Sequence, residues 1–471
     1  MILGMRRFLL SLLITLTAAS GFAQEVWIGL FIKGQKIGYS RSAESETTVA
    51  GKTVQKVESS TVIDAGLLGQ AMSTRIDSIT LRDGDKTLEM RFEISSAGRK
   101  QITLARFEGD AINISLDNSG SKSTRRIPLP KDAPVVDDAT LALLQDGVAI
   151  GASKAYYVLD PMTLSLSKNV ATLKGPSKVK VGEKEVDATL IEVVESRATT
   201  RLYVSAKGDF IKGEGPMGIE MLPISKQEAL EVGSGTVDLA DSTRIAPNKP
   251  IPDPSSLSQL RLRVTGRDLK NLPSDGHQTL EQDQGGWEVS IHPLPWKSFE
   301  NVSLAQAGVG RGAALSPSPL IPSDSKKFSD LAGTLTKGKV SLKEIVSSVH
   351  GYVNRLMTPN AGIGVLRDAG EVLETKEGVC RDYAILTATI FRAARVPSRL
   401  CSGLIYMDGA FYYHAWVEVW DSKKWIGVDS TRPDGELTPG HVKLAHGNVD
   451  EAFNFTVLDG VKIEVLGMIK K

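Results

Sequence analysis

Apolar and polar residues alternate along most of this chain, and the alternation gives way to a helical period only towards its end. Val26–Ile32 and Lys36–Thr48 flank Gly34-Gln35 and read as a hairpin. Short strands are expected at Thr53–Ile63, Ser73–Leu81, Thr87–Ile94, Gln101–Phe107 and Ala111–Leu116. More are expected at Tyr156–Leu159, Val179–Val181, Ala188–Val194 and Thr200–Val204, with Gly, Asp and Asn as punctuation. One helix is expected at Asp137–Leu144, where Asp137 or Asp138 could cap. Residues 24–245 therefore read as a mainly antiparallel β region, with no Cys, His or carboxylate set at catalytic or metal spacing. Residues 246–323 differ. Pro247, Pro250, Pro252 and Pro254 mark a linker. The alternation of Leu260, Leu262 and Val264, and of Trp287, Val289 and Ile291, predicts a small β module before a second linker around Pro317–Asp324.

Helical periods fill the start of the last zone, residues 324–471. Ser341 and Glu344 have capping-box spacing ahead of an apolar stripe, Leu342, Ile345, Val346, Val349, Val353 and Leu356, which reads as core packing. Gly378 permits a tight turn, Cys380 stands at the first turn of a helix, and Ala384, Ile385, Ala388, Phe391 and Ala394 mark its apolar face up to Pro397. A strand follows. Phe411–Trp420 then alternates, with His414, Trp416, Glu418 and Trp420 on one face and Ala415, Val417 and Val419 on the other. Ser422-Lys423 reads as a two-residue turn and Trp425–Asp429 as the returning strand. With Asp421 opposite Lys424, His414 and Asp429 become diagonal neighbours, about 7–8 Å apart at the backbone. A change of one residue in the turn would put them on opposite faces. Phe453–Val457 and Val461–Leu466 read as closing strands.

Composition adds limits. The chain has 471 residues, 41% hydrophobic and 24% charged, which suits a multidomain globular protein. A net charge of +1 gives no reason to expect nucleic acid or an anionic membrane surface as partner. Arg6-Arg7, an apolar run from Phe8 to Ala19 and small residues at Gly21-Phe22-Ala23 read as a secretory signal over residues 1–23, cleaved before Gln24. The run is short for a bilayer span, and no cysteine near the cleavage point offers a lipid anchor; an uncleaved anchor is the alternative. The expected location is periplasmic or secreted, with no stable membrane span after cleavage.

Export makes a disulfide between the two cysteines, Cys380 and Cys401, the plain structural expectation. Geometry opposes it. A helix from Cys380 to Ala394 is about 20 Å long at 1.5 Å per residue, and Cys401 follows its far end, whereas a disulfide needs α-carbons within about 7 Å. Cys401 reads as a small buried strand residue. A thiol at a helix N-terminus is instead favoured as thiolate, the nucleophile that needs least help at neutral pH. Of six histidines, His277 and His292 lie in the linker module, His350 on a helix, and His441 and His446 past the hairpin, where they could line a cleft. For Asp429 alone a solvated carboxylate is the plainer reading.

Three segments in this order, KEGVCRDYA, RVPSRLCSGLIYMDGAFYYHAWVEVW and WIGVDSTRP, resemble the core of the bacterial transglutaminase-like superfamily over roughly residues 320–450. The resemblance implies an α+β, papain-like domain with Cys380 as nucleophile, His414 as base and Asp429 orienting the histidine. It implies acyl transfer through a thioester on an amide bond, as amidase, peptidase or transglutaminase, without naming donor or acceptor. A protein or cell-wall peptide suits an exported enzyme as substrate. No metal or cofactor is expected, since thiol chemistry needs none. The alternative is a non-catalytic cell-envelope binding or scaffold protein built on the same domain.

Overall fold

The computed structural model describes residues 25–471 except 68–69, 85, 97, 119–120, 138–139, 146, 162–163, 196–198, 232–236, 239–243, 267–268, 270–271, 284, 300–303, 309, 319, 362, 364–365 and 454–459. The expected export signal at residues 1–23 lies outside the described residues. The chain divides into two compact units between Ser242 and Thr243.

In the first unit fourteen antiparallel strands form one sheet, two meanders joined where the first strand pairs with the last. Its opening strand, Val26–Ile32, sits in the middle, paired with Gln35–Val49 on one side and Ile219–Pro223 on the other. The first hairpin turns on Lys33 and Gly34, at φ 51° and 76°, one residue earlier than the alternation suggests. Two left-handed residues match the twist that a two-residue loop must follow. Burial at every second position holds the sheet, as with Met90, Phe92 and Ile94 in Lys86–Ser96. Of the expected helix at Asp137–Leu144, residues 138–139, with the alternative cap Asp138, lie outside the described residues, and among the rest only a 3₁₀ turn, Leu141–Leu143, is present. Buried Asp137 commits its carboxylate to Arg82, 3.0 Å away, so it is not available as a cap.

The second unit contains two four-stranded antiparallel sheets. One runs Gln278–Asp283, Gly286–Ile291, Leu257–Thr265, Lys462–Lys470 in space, so the last strand closes a sheet begun before the helices. Of the two expected closing strands, the second forms as Lys462–Lys470, and most of Phe453–Val457 lies outside the described residues. The other sheet runs Trp425–Val428, Ala410–Trp420, Ser398–Met407, His441–Gly447. Leu260, Leu262, Val289 and Ile291 of the first meet Leu404, Phe411, Val442 and Leu444 of the second in one buried cluster. Helix Leu342–Leu356 is capped by Ser341 and Glu344 and buries Leu342, Ile345, Val346, Val349 and Val353. It packs on helix Cys380–Ala393, as do Lys326–Thr336 and Ala369–Thr375. The cysteine helix ends on Arg395, left-handed at φ 63°, with the Val396 N–H bonded to Phe391 O. Pro397 therefore follows the stop and does not make it. The described residues are mostly antiparallel β, with the longer helices in the second unit.

Candidate active site

Cys380 is the first residue of its helix, half-buried, and its thiol is free, as is that of buried Cys401. The helix start is fixed from beneath. Asp382 Oδ2 accepts the Val379 N–H at 2.9 Å, one of the donors a helix end leaves unpaired. Fully buried Arg367 lies 3.3 Å from Asp382 Oδ2 and donates to Thr375 Oγ1 at 2.8 Å. Its charge offsets that of a carboxylate that would otherwise oppose a thiolate one turn away. Gly378 is needed for closeness and not for a turn. It lies in a two-residue strand, and a Cβ there would meet Asp382 Cβ at 2.6 Å and Arg367 Nη2 at 2.7 Å.

The hairpin register is the one the two-residue turn implies. Trp420 faces Trp425, Val417 faces Val428, and the Asp421 N–H donates to Lys424 O at 3.1 Å. This brings His414 Nε2 within 2.8 Å of Asp429 Oδ2. Asp429 is fully buried, and its Oδ1 accepts the Thr431 N–H at 3.0 Å and the Thr431 hydroxyl at 2.7 Å. With Nε2 engaged, Nδ1 is the ring nitrogen left for Cys380, whose side chain hydrogen-bonds His414. The structure thus brings all three sequence-nominated residues together.

Electrostatics follow from burial and partners. Burial pushes the Cys380 thiol up, but the hydrogen bond and charge of His414 and the Ala415 backbone bond outweigh it and hold the thiol below its ordinary value. Burial pulls His414 down, yet the Asp429 carboxylate and Cys380 leave it pushed up to about 10. Asp429 is held well below the carboxylate range, the two imidazoles prevailing over burial. Burial drives Cys401 the other way, well above its ordinary value. An imidazolium facing a thiolate is the arrangement these shifts favour.

Around this core lie further groups: Trp416, expected from its face to shield the site, and an ionic set that sequence reasoning missed. Trp416, almost fully buried, stacks on His414 with ring centroids 6.2 Å apart and meets His441 edge-on at 5.6 Å. On the same face, buried Glu418 takes Arg399 at 2.5 Å and Lys443 at 2.6 Å, and both cations also reach Asp275. A charged residue on the histidine face of an otherwise apolar strand was the available signal. His441, left as a cleft-lining candidate, places Nε2 3.3 Å from Asp429 Oδ2.

His414, Asp429 and His441 each offer a ligand atom within 4.8 Å of the others, a spacing that a metal ion could use. The donors fit poorly. The Thr438 N–H points at His441 Nδ1 from 3.0 Å and can only donate, so Nδ1 keeps its lone pair and the proton sits on Nε2. A metal at Nε2 would require that proton to leave while Nδ1 still accepts.

Residues 329–430 match the transglutaminase-like superfamily core. An uncharacterized protein of Mycobacterium leprae (strain TN) is 22% identical over 170 residues, 34% of this chain. The chain spans 58% of the length of that curated relative. Among solved structures, a candidate cysteine protease from Cytophaga hutchinsonii is 17% identical with a TM-score of 0.33, over 46% of this chain and 86% of the other. A β-barrel-like protein of a domain of unknown function from Brucella abortus is 11% identical with a TM-score of 0.32, over 43% of this chain and 94% of the other. The match at residues 329–430 spans the cysteine helix, the histidine strand and Asp429, and over these residues the chain carries a core of the transglutaminase-like superfamily.

Proposed function

We propose that this chain is an exported, cysteine-dependent acyl-transfer enzyme that acts on amide bonds through a thioester, with a papain-like arrangement of Cys380, His414 and Asp429. The observation that carries the reading is His414 held between the Cys380 thiol and the buried Asp429 carboxylate, 2.8 Å from Nε2. In the reaction the Cys380 thiolate, its proton already on His414 Nδ1, attacks the amide carbonyl. The same proton then goes to the leaving amine as the carbon–nitrogen bond breaks, leaving an acyl-thioester. Water resolves it in an amidase or peptidase, and a second amine resolves it in a transglutaminase. Asp429 holds the ring and its charge, while Trp416 keeps water from that side. A protein or cell-wall peptide is the substrate class that suits export, which rests on the signal-like residues 1–23.

The test is alkylation of the two thiols at about pH 6, where an ordinary thiol, with a pKa of about 8.5, is almost wholly protonated. Cys380 is expected to react at least about tenfold faster than Cys401 in the folded protein. His414→Ala should abolish most of that preference. Slow labelling of Cys380, or labelling indifferent to His414, would favour the binding or scaffold role instead.

A further inference from the structure

We propose that His441 is a positioning residue of this site: a neutral imidazole, its proton fixed on Nε2, that donates to Asp429 Oδ2 and keeps this buried carboxylate charged and turned towards His414. The inference rests on the thiol reading above and extends it to a residue outside the matched segment 329–430.

The tautomer follows from the loop before the strand. Thr438 gives its backbone N–H to Nδ1 at 3.0 Å, and its hydroxyl lies 3.2 Å from the same atom. That hydroxyl accepts from the Gly440 N–H at 3.2 Å, so its own hydrogen is free to point at Nδ1. Thr438 O also lies 3.2 Å from Nδ1, but a protonated Nδ1 could not accept the Thr438 N–H that points at it. Nδ1 is therefore an acceptor, and the one ring proton faces Asp429. The backbone of His441 is held as well, since His277 Nε2 donates to its carbonyl at 2.8 Å.

The carboxylate needs this donor. Asp429 is fully buried, where an ionised carboxylate persists only if its lone pairs are used. Thr431 occupies Oδ1 twice, and His414 and His441 share Oδ2. Without His441, one lone pair of a buried anion is bare. A carboxylate so weakened holds a charged imidazole less well, so the Nδ1 proton of His414 returns to the Cys380 sulfur: His414 is left neutral with its proton on Nε2, and Cys380 is a thiol. His441 acts only through Asp429 and touches no reacting atom.

Two substitutions separate this role from a structural one. His441→Asn places an acceptor near the Nδ1 position, retaining the Thr438 contact but losing the donor to Asp429. His441→Gln places an amide N–H near the Nε2 position. With folding checked by circular dichroism and thermal unfolding, His441→Asn is expected to slow Cys380 alkylation at about pH 6 by about tenfold, the loss of one bond to a charged group. His441→Gln should recover most of the wild-type rate. The low-field proton resonance of the His414–Asp429 bond should move in the Asn variant and return in the Gln variant. Wild-type labelling in a folded Asn variant would overturn the proposal. Equal impairment in both variants would also overturn it, in favour of a merely structural histidine. If wild-type Cys380 itself fails to label selectively, the thiol reading falls first, which is a separate result.

Discussion

At the scale of single residues, histidines packed around Trp416 sit on opposite sides of their ordinary pKa, and this sets how the fold responds to acid. His277 is pushed down to about 4, chiefly by burial and further by the Lys443 charge. His414 is pushed up to about 10, burial being outweighed by Asp429. For His414 the folded value exceeds the unfolded value of about 6.5, so its contribution is complete below about pH 6.5 and fades as pH rises towards 10. For His277 the folded value is the lower one, so its contribution is present above about pH 6.5 and is lost as pH falls towards 4. Between pH 7 and 5, His277 should therefore cost the native state about 2 kcal/mol of stability. His277→Gln retains a donor for the His441 carbonyl but cannot titrate. Urea unfolding at the two pH values should show a smaller acid loss in this variant than in wild type, by about that amount. Equal losses in the two proteins would mean that other groups, His446 first among them, govern the acid limb.

At the scale of elements, the site depends on three neighbouring strands, of which the middle and last meet at a glycine. Gly403 lies opposite His414 on one side and Lys443 on the other, at a register shift between Ser402 and Gly403. A Cβ there would lie 1.9 Å from Val442 O, a backbone atom that cannot swing away. Gly403→Ala should push the strand His441–Gly447 off its partner and cost about 3 kcal/mol or more, at the upper end of overpacking effects. Any folded fraction should label Cys380 slowly, because His441 moves with its strand; a variant with unchanged thermal stability would contradict this. The histidine hairpin is readable from sequence because two apolar arms flank a short polar turn that Asp421 pins, accepting the Lys423 and Lys424 N–H groups at 3.0 and 2.9 Å. The strand His441–Gly447 is not readable, because its alternation, His441-Val442-Lys443-Leu444, is short and its polar positions give no sign that they are buried. Lys443 looks like a solvated charge until Glu418 and Asp275 are seen beside it. The Arg367–Asp382 pair under the cysteine is hidden for another reason: its partners come from separate elements and follow no spacing rule. In the first unit, Ser121–Pro128 belongs to the sheet through pairing with its neighbour, not through an apolar alternation of its own.

At the scale of the whole molecule, the contacts of the site define which piece of chain must be kept for it to work. The partners of Cys380, His414, Asp429 and His441 named above all lie in the unit that begins at Thr243. Within that unit the residues before the helices are part of the site's support. Asp275 binds Arg399 and Lys443, His277 holds the His441 carbonyl, and Gln278 donates to Lys443 O at 2.8 Å and accepts the Lys443 N–H at 2.9 Å. The strand Leu257–Thr265 supplies the partner for Lys462–Lys470 and brings Leu260 and Leu262 into the shared core. A fragment of residues 243–471 should therefore fold and keep the wild-type ratio of Cys380 to Cys401 alkylation. A fragment starting at residue 324 would contain the cysteine, the histidine and the aspartate, yet lose one wall of the core and leave Glu418, Arg399 and Lys443 without Asp275. Removing one partner from a buried ionic set typically costs about 3–5 kcal/mol, a large share of the roughly 5–15 kcal/mol that holds an ordinary domain, and the lost wall of the core adds to it. The shorter fragment should be largely unfolded by circular dichroism, with both thiols labelled at similar rates. Selective labelling of Cys380 in that fragment would show that the β module is dispensable to the site.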